Sequence, residues 1–112
     1  MSEFLYLYRG GDRQQTPEAM QQQMQKWMAW MKDLTAKGHL KNPGHPLEPG
    51  GKVVSGKAKT VTDGPFAEKD LVGGYSLIEA KDLAHAVELS RGCPIFEYNG
   101  GIEVRPIIPM NM

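Results

Sequence analysis

The sequence predicts a single α+β domain over residues 1–112, in which two helices cover one face of an antiparallel sheet. Three observations predict it. The length of 112 residues is that of one domain. Segments with alternating apolar residues are interspersed with two segments of helical periodicity. Clusters of glycine and proline separate these segments, and the chain contains no repeat or linker.

The first strand is predicted over residues 3–9, EFLYLYR, before Gly10 and Gly11 end it. Its side chains alternate between two faces, one with Phe4, Tyr6 and Tyr8 and the other with Leu5, Leu7 and Arg9. Both faces are largely apolar, which is typical of a strand in a sheet that is covered on both sides.

The first helix is predicted to begin after Thr16, the N-cap, with Pro17 in its first turn, and to end near Lys37 before Gly38. Its apolar stripe, which we interpret as core, consists of Met20, Met24, Trp27, Met31 and Leu34, with Met28 beside it. Trp30 falls at the edge of this stripe, where it lines a rim or meets a partner chain.

The rest of the chain predicts an irregular loop at 39–51, a hairpin at 52–55 and 57–62, a strand at 74–79, a helix at 81–91 and a strand at 101–108. Leu83, Ala84 and Val87 are the predicted inward residues of this second helix, with Ala86 and Ser90 as further inward candidates. The order fits a ferredoxin-like βαββαβ sheet with an added hairpin. A second copy packed face to face would cover the sheet's other apolar face, which predicts a homodimer.

Charge, composition and motifs argue against several classes of function. Thirteen Lys and Arg balance thirteen Asp and Glu, so the net charge is zero and nucleic-acid binding is disfavoured. The first residues, MSEFLYLYRG, lack a basic leader and a long apolar run, so we expect no signal peptide there. No stretch resembles a membrane span, and a cytoplasmic protein is expected. The single cysteine, Cys93, is interpreted as a buried residue. No nucleotide-cofactor or serine-hydrolase motif is present, so we expect no cofactor.

One segment carries a family resemblance. Residues 62–68, TDGPFAE, followed by KDLVGGY, closely resemble the signature of the DGPF-domain proteins of the YCII-related superfamily. The resemblance extends to FLYLYRGG near the N-terminus, to AVELS and Cys-Pro, and to the terminal IEVRPI. It implies a ferredoxin-like domain that forms a dimeric α/β barrel, an architecture shared with small monooxygenases, isomerases and a dehydrochlorinase. It also implies a His–Asp acid–base pair with the histidine on the first helix, but the first helix here contains no histidine.

Asp63 is the leading catalytic candidate. In isolation, Asp63-Gly64-Pro65 is typical turn chemistry, because Asp accepts backbone hydrogen bonds and Pro fixes the direction of the chain. The resemblance favours a second reading, in which Phe66 forms an apolar wall beside the carboxylate. Such a wall disfavours the charged form, so the pKa of Asp63 is expected to rise and to suit proton transfer.

His39 and His45, which both lie in the 39–51 loop, are candidate acid–base partners for Asp63. Solvated loop histidines are the alternative, and their spacing is not a metal signature, so we predict no metal site. His85 is interpreted as an exposed surface residue.

Side chains of the first and last strands are candidates for substrate binding. Tyr6 and Tyr8 offer hydroxyl groups, and Arg9 or Arg105 offers a cation for an anionic substrate, if the sheet lines a cavity at the dimer centre. The alternative is that the aromatic residues fill the core.

Two functions are therefore predicted. The first is a cofactor-independent homodimeric enzyme of lyase, isomerase or dehydrochlorinase type, in which Asp63 transfers protons on a small molecule. The second is a non-catalytic ligand-binding or protein-interaction module. The resemblance links that second function to transcription regulation, because family members occur near or fused to sigma-factor-type regulators.

Overall fold

The computed structural model describes residues 1–12, 16–65 and 71–110, and it confirms the α+β fold. The helices are α1 (Pro17–Ala36) and α2 (Leu83–Ser90), with a short 3-10 helix at Pro94–Tyr98. The strands are β1 (Ser2–Gly10), β2 (Leu40–Asn42), β3 (Gly51–Ser55), β4 (Thr60–Gly64), β5 (Val72–Ala80) and β6 (Gly100–Pro106).

Four strands form the main sheet in the order β2-β5-β1-β6, and all neighbouring pairs are antiparallel. The two central strands, β1 and β5, are paired on both edges. This order and the two helices give the predicted ferredoxin-like arrangement. The added hairpin, β3–β4, forms a separate two-stranded sheet between β2 and β5 in the chain.

The core lies between this sheet and the helices. Tyr6, which is fully buried at the centre of β1, stacks on Trp30 of α1 with ring centroids 6.2 Å apart. The Tyr6 hydroxyl donates a hydrogen bond to the carbonyl of Ala86 in α2. One side chain therefore contacts both helices, so α1 and α2 cover the same face of the sheet.

The opposite face of the sheet carries half-buried leucines, Leu5 and Leu7 on β1 and Leu77 on β5. Leu5 and Leu77 are direct neighbours in the antiparallel register. Ion pairs flank this patch: Lys41 pairs with Glu3 at 3.1 Å. We call this side of the sheet, with Leu5, Leu7 and Leu77, the open face. That a second copy covers it stays a prediction.

The boundaries of α1 follow from its caps, as predicted. The Thr16 hydroxyl accepts a hydrogen bond from the amide of Ala19 at 3.1 Å, which satisfies one free donor of the first turn. At the other end Lys37 is the C-cap, and Gly38 adopts the left-handed conformation (φ +78°) that commonly ends a helix.

The interpretation of the methionine stripe as core is wrong for half of the helix. Met20, Met24 and Met28 are 57%, 63% and 66% exposed, whereas Trp30 is only 8% exposed. The buried positions of α1 are Trp30 and Leu34, so the second half of the helix packs on the sheet. Trp30 is a core residue, and its assignment to a rim or partner contact is wrong.

Three smaller predictions also need correction. The 39–51 loop contains β2, because Leu40 pairs with Ile78. The second hairpin strand begins at Thr60 rather than at position 57, because the turn occupies residues 56–59. The buried residues of α2 are Ala86 and Ser90, the two further inward candidates, whereas Leu83, Ala84 and Val87 are exposed.

Two features bear on the chemistry open to the chain. Cys93 is buried as predicted, and burial raises the pKa of its thiol to about 12, so the thiol stays protonated at neutral pH. Neither α1 nor α2 combines the length and the apolar character that crossing a membrane requires, within the described part of the chain.

Candidate functional site

A cavity of about 570 Å³ lies where the ends of β1 and β5 meet the first half of α1 and the loop at residues 43–46. A volume of this size is typical of a small-molecule site. Its described lining consists of Tyr8, Gly10, Gly11, Asp12, Met20, Gln23, Met24, Trp27, Met31, Pro43, Gly44, His45, Pro46, Gly73, Gly74, Tyr75, Ile95 and Tyr98.

The walls of the cavity are mainly apolar and aromatic. Met20 and Met24 line it from the part of α1 that extends beyond the core. Trp27 and Tyr8 lie edge to face, with ring centroids 4.8 Å apart and planes at 85°. The exposed methionines of α1 are thus part of the cavity wall, where flexible thioether side chains adapt well to a ligand.

A buried hydrogen-bond relay fixes the loop at 43–46 against the sheet. The Tyr8 hydroxyl donates to Ser76 Oγ at 2.8 Å, and Ser76 Oγ donates to the carbonyl of Pro43 at 2.7 Å. Burial raises the pKa of the Tyr8 phenol, which keeps it a neutral donor in this relay. Buried side chains of β1 and β5 therefore anchor the loop at residues 43–46.

Backbone contacts along β5 hold the same loop. The amide of Tyr75 donates to the carbonyl of His45 at 3.4 Å, and the amide of Leu47 donates to the carbonyl of Gly73 at 2.8 Å. Between these two bonds, Pro46 pairs with Gly74 as an isolated bridge. The loop therefore extends the sheet at its edge, beside the cavity.

His45 is the titratable loop side chain that lines the cavity. Its ring lies 6.2 Å from the ring of Tyr75 and makes no hydrogen bond to another described residue. Histidine both takes and releases protons near neutral pH, so an exposed imidazole here is suited to act on a bound molecule. Of the predicted site residues, the structure brings His45 and Tyr8 to this cavity.

Asp63 lies elsewhere. It is on β4, opposite Lys52 of β3, and its carboxylate forms an ion pair with the Lys52 ammonium group. Its side chain is 90% exposed, and it is not among the described residues that line the cavity. Phe66, the predicted apolar wall, lies outside the described residues. The catalytic role of Asp63 stays a prediction.

His39 also lies away from the cavity lining. Its ring Nδ1 donates to the carbonyl of Glu79 at 3.0 Å, and its ring lies edge to face with that of His85 at 4.9 Å. His85 is half-buried rather than exposed, because it packs on His39 and its Nδ1 accepts from the amide of Lys81 at 3.0 Å. These contacts give both histidines a structural role where β5 meets α2.

The remaining predicted binding residues occupy two other places. Tyr6 is in the core, where burial raises the pKa of its phenol. Arg9 and Arg105 are on the open face, and they contact Glu103 at 2.8 Å and 3.2 Å. Hydrogen bonds from Arg9 and then Arg105 lower the pKa of Glu103, so the carboxylate stays ionised between them.

Sequence reasoning missed several residues of the cavity, above all Asp12, Trp27 and Tyr98. One signal was present for Asp12: it directly follows Gly10-Gly11, where the first strand leaves the sheet. Side chains at such strand ends commonly line binding sites. No set of three or more His, Cys, Asp and Glu side chains forms a metal-binding group within the described ranges.

The family of the YCII-related domain matches residues 4–111 of this sequence. No curated protein matches the chain. The matched region includes β1 from Phe4 onward, β2 through β6, and every described residue that lines the cavity.

Proposed function

The chain belongs to the YCII-related family, and from this premise we propose that it is a cofactor-independent enzyme acting on a small, largely apolar molecule. The observation that supports this proposal is the cavity of about 570 Å³ with mainly apolar walls and His45 in its lining. Proton transfer of the lyase, isomerase or dehydrochlorinase type needs one positioned acid–base group and no redox partner.

In this proposal the substrate lies against Trp27, Met20 and Met24, and His45 takes a proton from it or returns one to it. The relay from Tyr8 through Ser76 holds the loop that carries His45. Asp63 is retained as a second candidate for the same role, because it is the acid of the TDGPF segment.

A pair of variants tests the assignment. His45→Gln is expected to lower kcat on any substrate that the protein turns over by about 10²- to 10⁴-fold. Its melting temperature is expected to change little, because the side chain is exposed and makes no hydrogen bond to a described residue. Turnover of a panel of small lactones, enolisable ketones and halogenated hydrocarbons would be followed by mass spectrometry.

Asp63→Asn is the matched comparison. The Asp63–Lys52 pair is highly exposed, so its loss is expected to leave the melting temperature nearly unchanged. Lost turnover in Asp63→Asn with normal turnover in His45→Gln would transfer the acid–base role to Asp63. Unchanged turnover in both variants would contradict the proposed mechanism.

A second function has one observation in its favour. Within the described residues, no hydrogen bond or ion pair joins His45 to a carboxylate, and Asp63 pairs with Lys52 on the hairpin. A non-catalytic module that only binds a ligand does not need such a partner. Saturable ligand binding without turnover of any compound in the panel would favour this alternative.

The proposal includes a homodimer formed through the open face. Half-buried Leu5, Leu7 and Leu77 form an apolar patch there, and charged pairs at its edges are typical of an interface rim. A dimer of this kind would remove the patch from water, which is the main driving force for such association.

Sedimentation equilibrium tests the dimer. The unmodified chain is expected to sediment with twice the monomer mass of 12.4 kDa. Leu77→Glu on the open face is expected to sediment as a monomer, because burying a charged carboxylate within the apolar patch is unfavourable. Leu83→Glu, on an exposed position of α2, is the matched control and is expected to remain dimeric. A monomeric unmodified chain, or a dimeric Leu77→Glu, would refute this interface.

A further inference from the structure

We infer that the ligand of the cavity carries a positive charge, as a primary or substituted ammonium group on a hydrocarbon or aryl body. The inference deepens the proposed function and rests on it, since it concerns the same cavity. Among the described residues of the lining, Asp12 is the one carboxylate, and neither lysine nor arginine is present.

Asp12 is held in place by the residues that follow the 3-10 helix. Its amide donates to the carbonyl of Tyr98, and its Oδ2 accepts from the side-chain amide of Asn99 at 2.6 Å. Asn99 is itself fixed in a left-handed conformation (φ +64°) at the end of that helix. The carboxylate therefore has a defined position at the cavity.

Asp12 also differs from other carboxylates of the protein. Glu103, Glu97 and Asp63 each pair with a lysine or arginine. Asp12 has no such pair with a described residue, and Asn99 is a neutral donor. A carboxylate group beside an apolar cavity, with no cationic partner among the described residues, attracts a cationic ligand and repels an anionic one.

The aromatic walls of the cavity also favour a positively charged ligand. Trp27 and Tyr8 stand nearly perpendicular to each other at 85°, and Tyr98 lines the cavity near Asp12. The faces of aromatic rings carry negative electrostatic potential, and cages of such rings are a recurrent way to bind organic ammonium groups. Met20 and Met24 then provide an adaptable apolar surface for the rest of the ligand.

Three probes of similar size and different charge test this inference: 2-phenylethylamine, 2-phenylethanol and phenylacetate. Binding to the full chain is measured by titration, with the indole NMR signal of Trp27 as the report on the cavity. The amine is expected to bind at least about ten-fold more tightly than the alcohol, and the carboxylate more weakly than both. Added salt is expected to weaken the binding of the amine and to leave that of the alcohol unchanged.

Two variants locate the charge. Asp12→Asn preserves the size of the side chain, and it is expected to reduce amine affinity to the level of the alcohol while alcohol affinity stays the same. Asp33→Asn removes a carboxylate from α1 outside the cavity lining, and it is expected to change neither affinity. The salt dependence is measured on the unmodified chain, so it tests the charge even if Asp12→Asn fails to fold.

The outcomes separate the two proposals. If the alcohol or phenylacetate binds as tightly as the amine, or Asp12→Asn binds the amine normally, the cationic ligand is refuted and the small-molecule cavity stands. If none of the three probes shifts the Trp27 signal, the small-molecule function is refuted with it.

Discussion

Replacing Gly44 with alanine is expected to destabilise the protein by about 3 kcal/mol, the combined cost of overpacking and a strained backbone. Gly44 lies in the loop beside the cavity with φ +69°. An added Cβ would be 1.8 Å from the carbonyl oxygen of Tyr75 and 2.7 Å from its carbon. These are backbone atoms of β5, a strand paired on both edges, so they cannot move aside without breaking the sheet. Urea unfolding of the variant measures the loss.

Gly38→Ala is the matched control for this prediction. Gly38 has a similar backbone conformation, φ +78°, but no atom lies within 4 Å of an added Cβ. Its replacement therefore carries only the cost of the left-handed backbone, about 1 kcal/mol. The difference between the two variants measures the close approach of the loop to β5. Equal losses in both would show that the loop does not lie against Tyr75.

Trp30→Ala is expected to destabilise the protein by about 4 kcal/mol, as is typical of removing a large buried aromatic side chain. Trp30 is 8% exposed and stacks on Tyr6 at the centre of the core. The lost side chain leaves a cavity that the surrounding rings of Tyr8 and Trp27 cannot fill without leaving their own edge-to-face contacts. Thermal and urea unfolding measure the effect.

Met28→Ala, two positions earlier on α1, is expected to change stability by no more than about 0.5 kcal/mol. Met28 is 66% exposed. Both substitutions introduce alanine into the same helix, so their difference reports side-chain packing rather than helix propensity. A loss for Met28→Ala as large as that for Trp30→Ala would mean that the helix packs on the sheet through its other face.

The order of helices and strands was predictable because local chemistry determines it. Thr16 and Pro17 begin α1, and Gly38 follows its end, as expected from capping alone. The alternation of β1 places Tyr6 and Leu5 on opposite faces in both the prediction and the structure. These features depend on neighbouring residues in the chain.

The buried part of α1 was not predictable in the same way. The stripe from Met20 to Leu34 has a helical period along its whole length, but periodicity does not show where the sheet beneath it ends. Trp30 is buried because Tyr6 and Tyr8 lie beneath it, which is a contact between distant segments. The short strand β2 was missed for a similar reason, since its pairing partner is β5.

The candidate site was predicted in part. The loop histidine His45 and the strand tyrosine Tyr8 line the cavity, although sequence reasoning had no means of placing them together. The family resemblance singled out Asp63 as a catalytic candidate. Its ion pair with Lys52 depends on the register of the hairpin, which the sequence alone did not define. Asp12 was overlooked because a lone acid after two glycines is common in loops.

The β3–β4 hairpin has a consequence for how this chain can vary. The chain leaves the main sheet after β2 and returns to it as β5, the strand that pairs with β2. Within the described residues, β3 and β4 pair only with each other, so the four-stranded sheet is complete without them. The entropic cost of closing a loop grows slowly with its length. A longer or shorter segment between β2 and β5 therefore changes the free energy of unfolding only slightly. Changes in the length of the turn at residues 56–59, at the far end of the hairpin from Asp63, are therefore expected to leave the helices, the main sheet and the cavity unchanged.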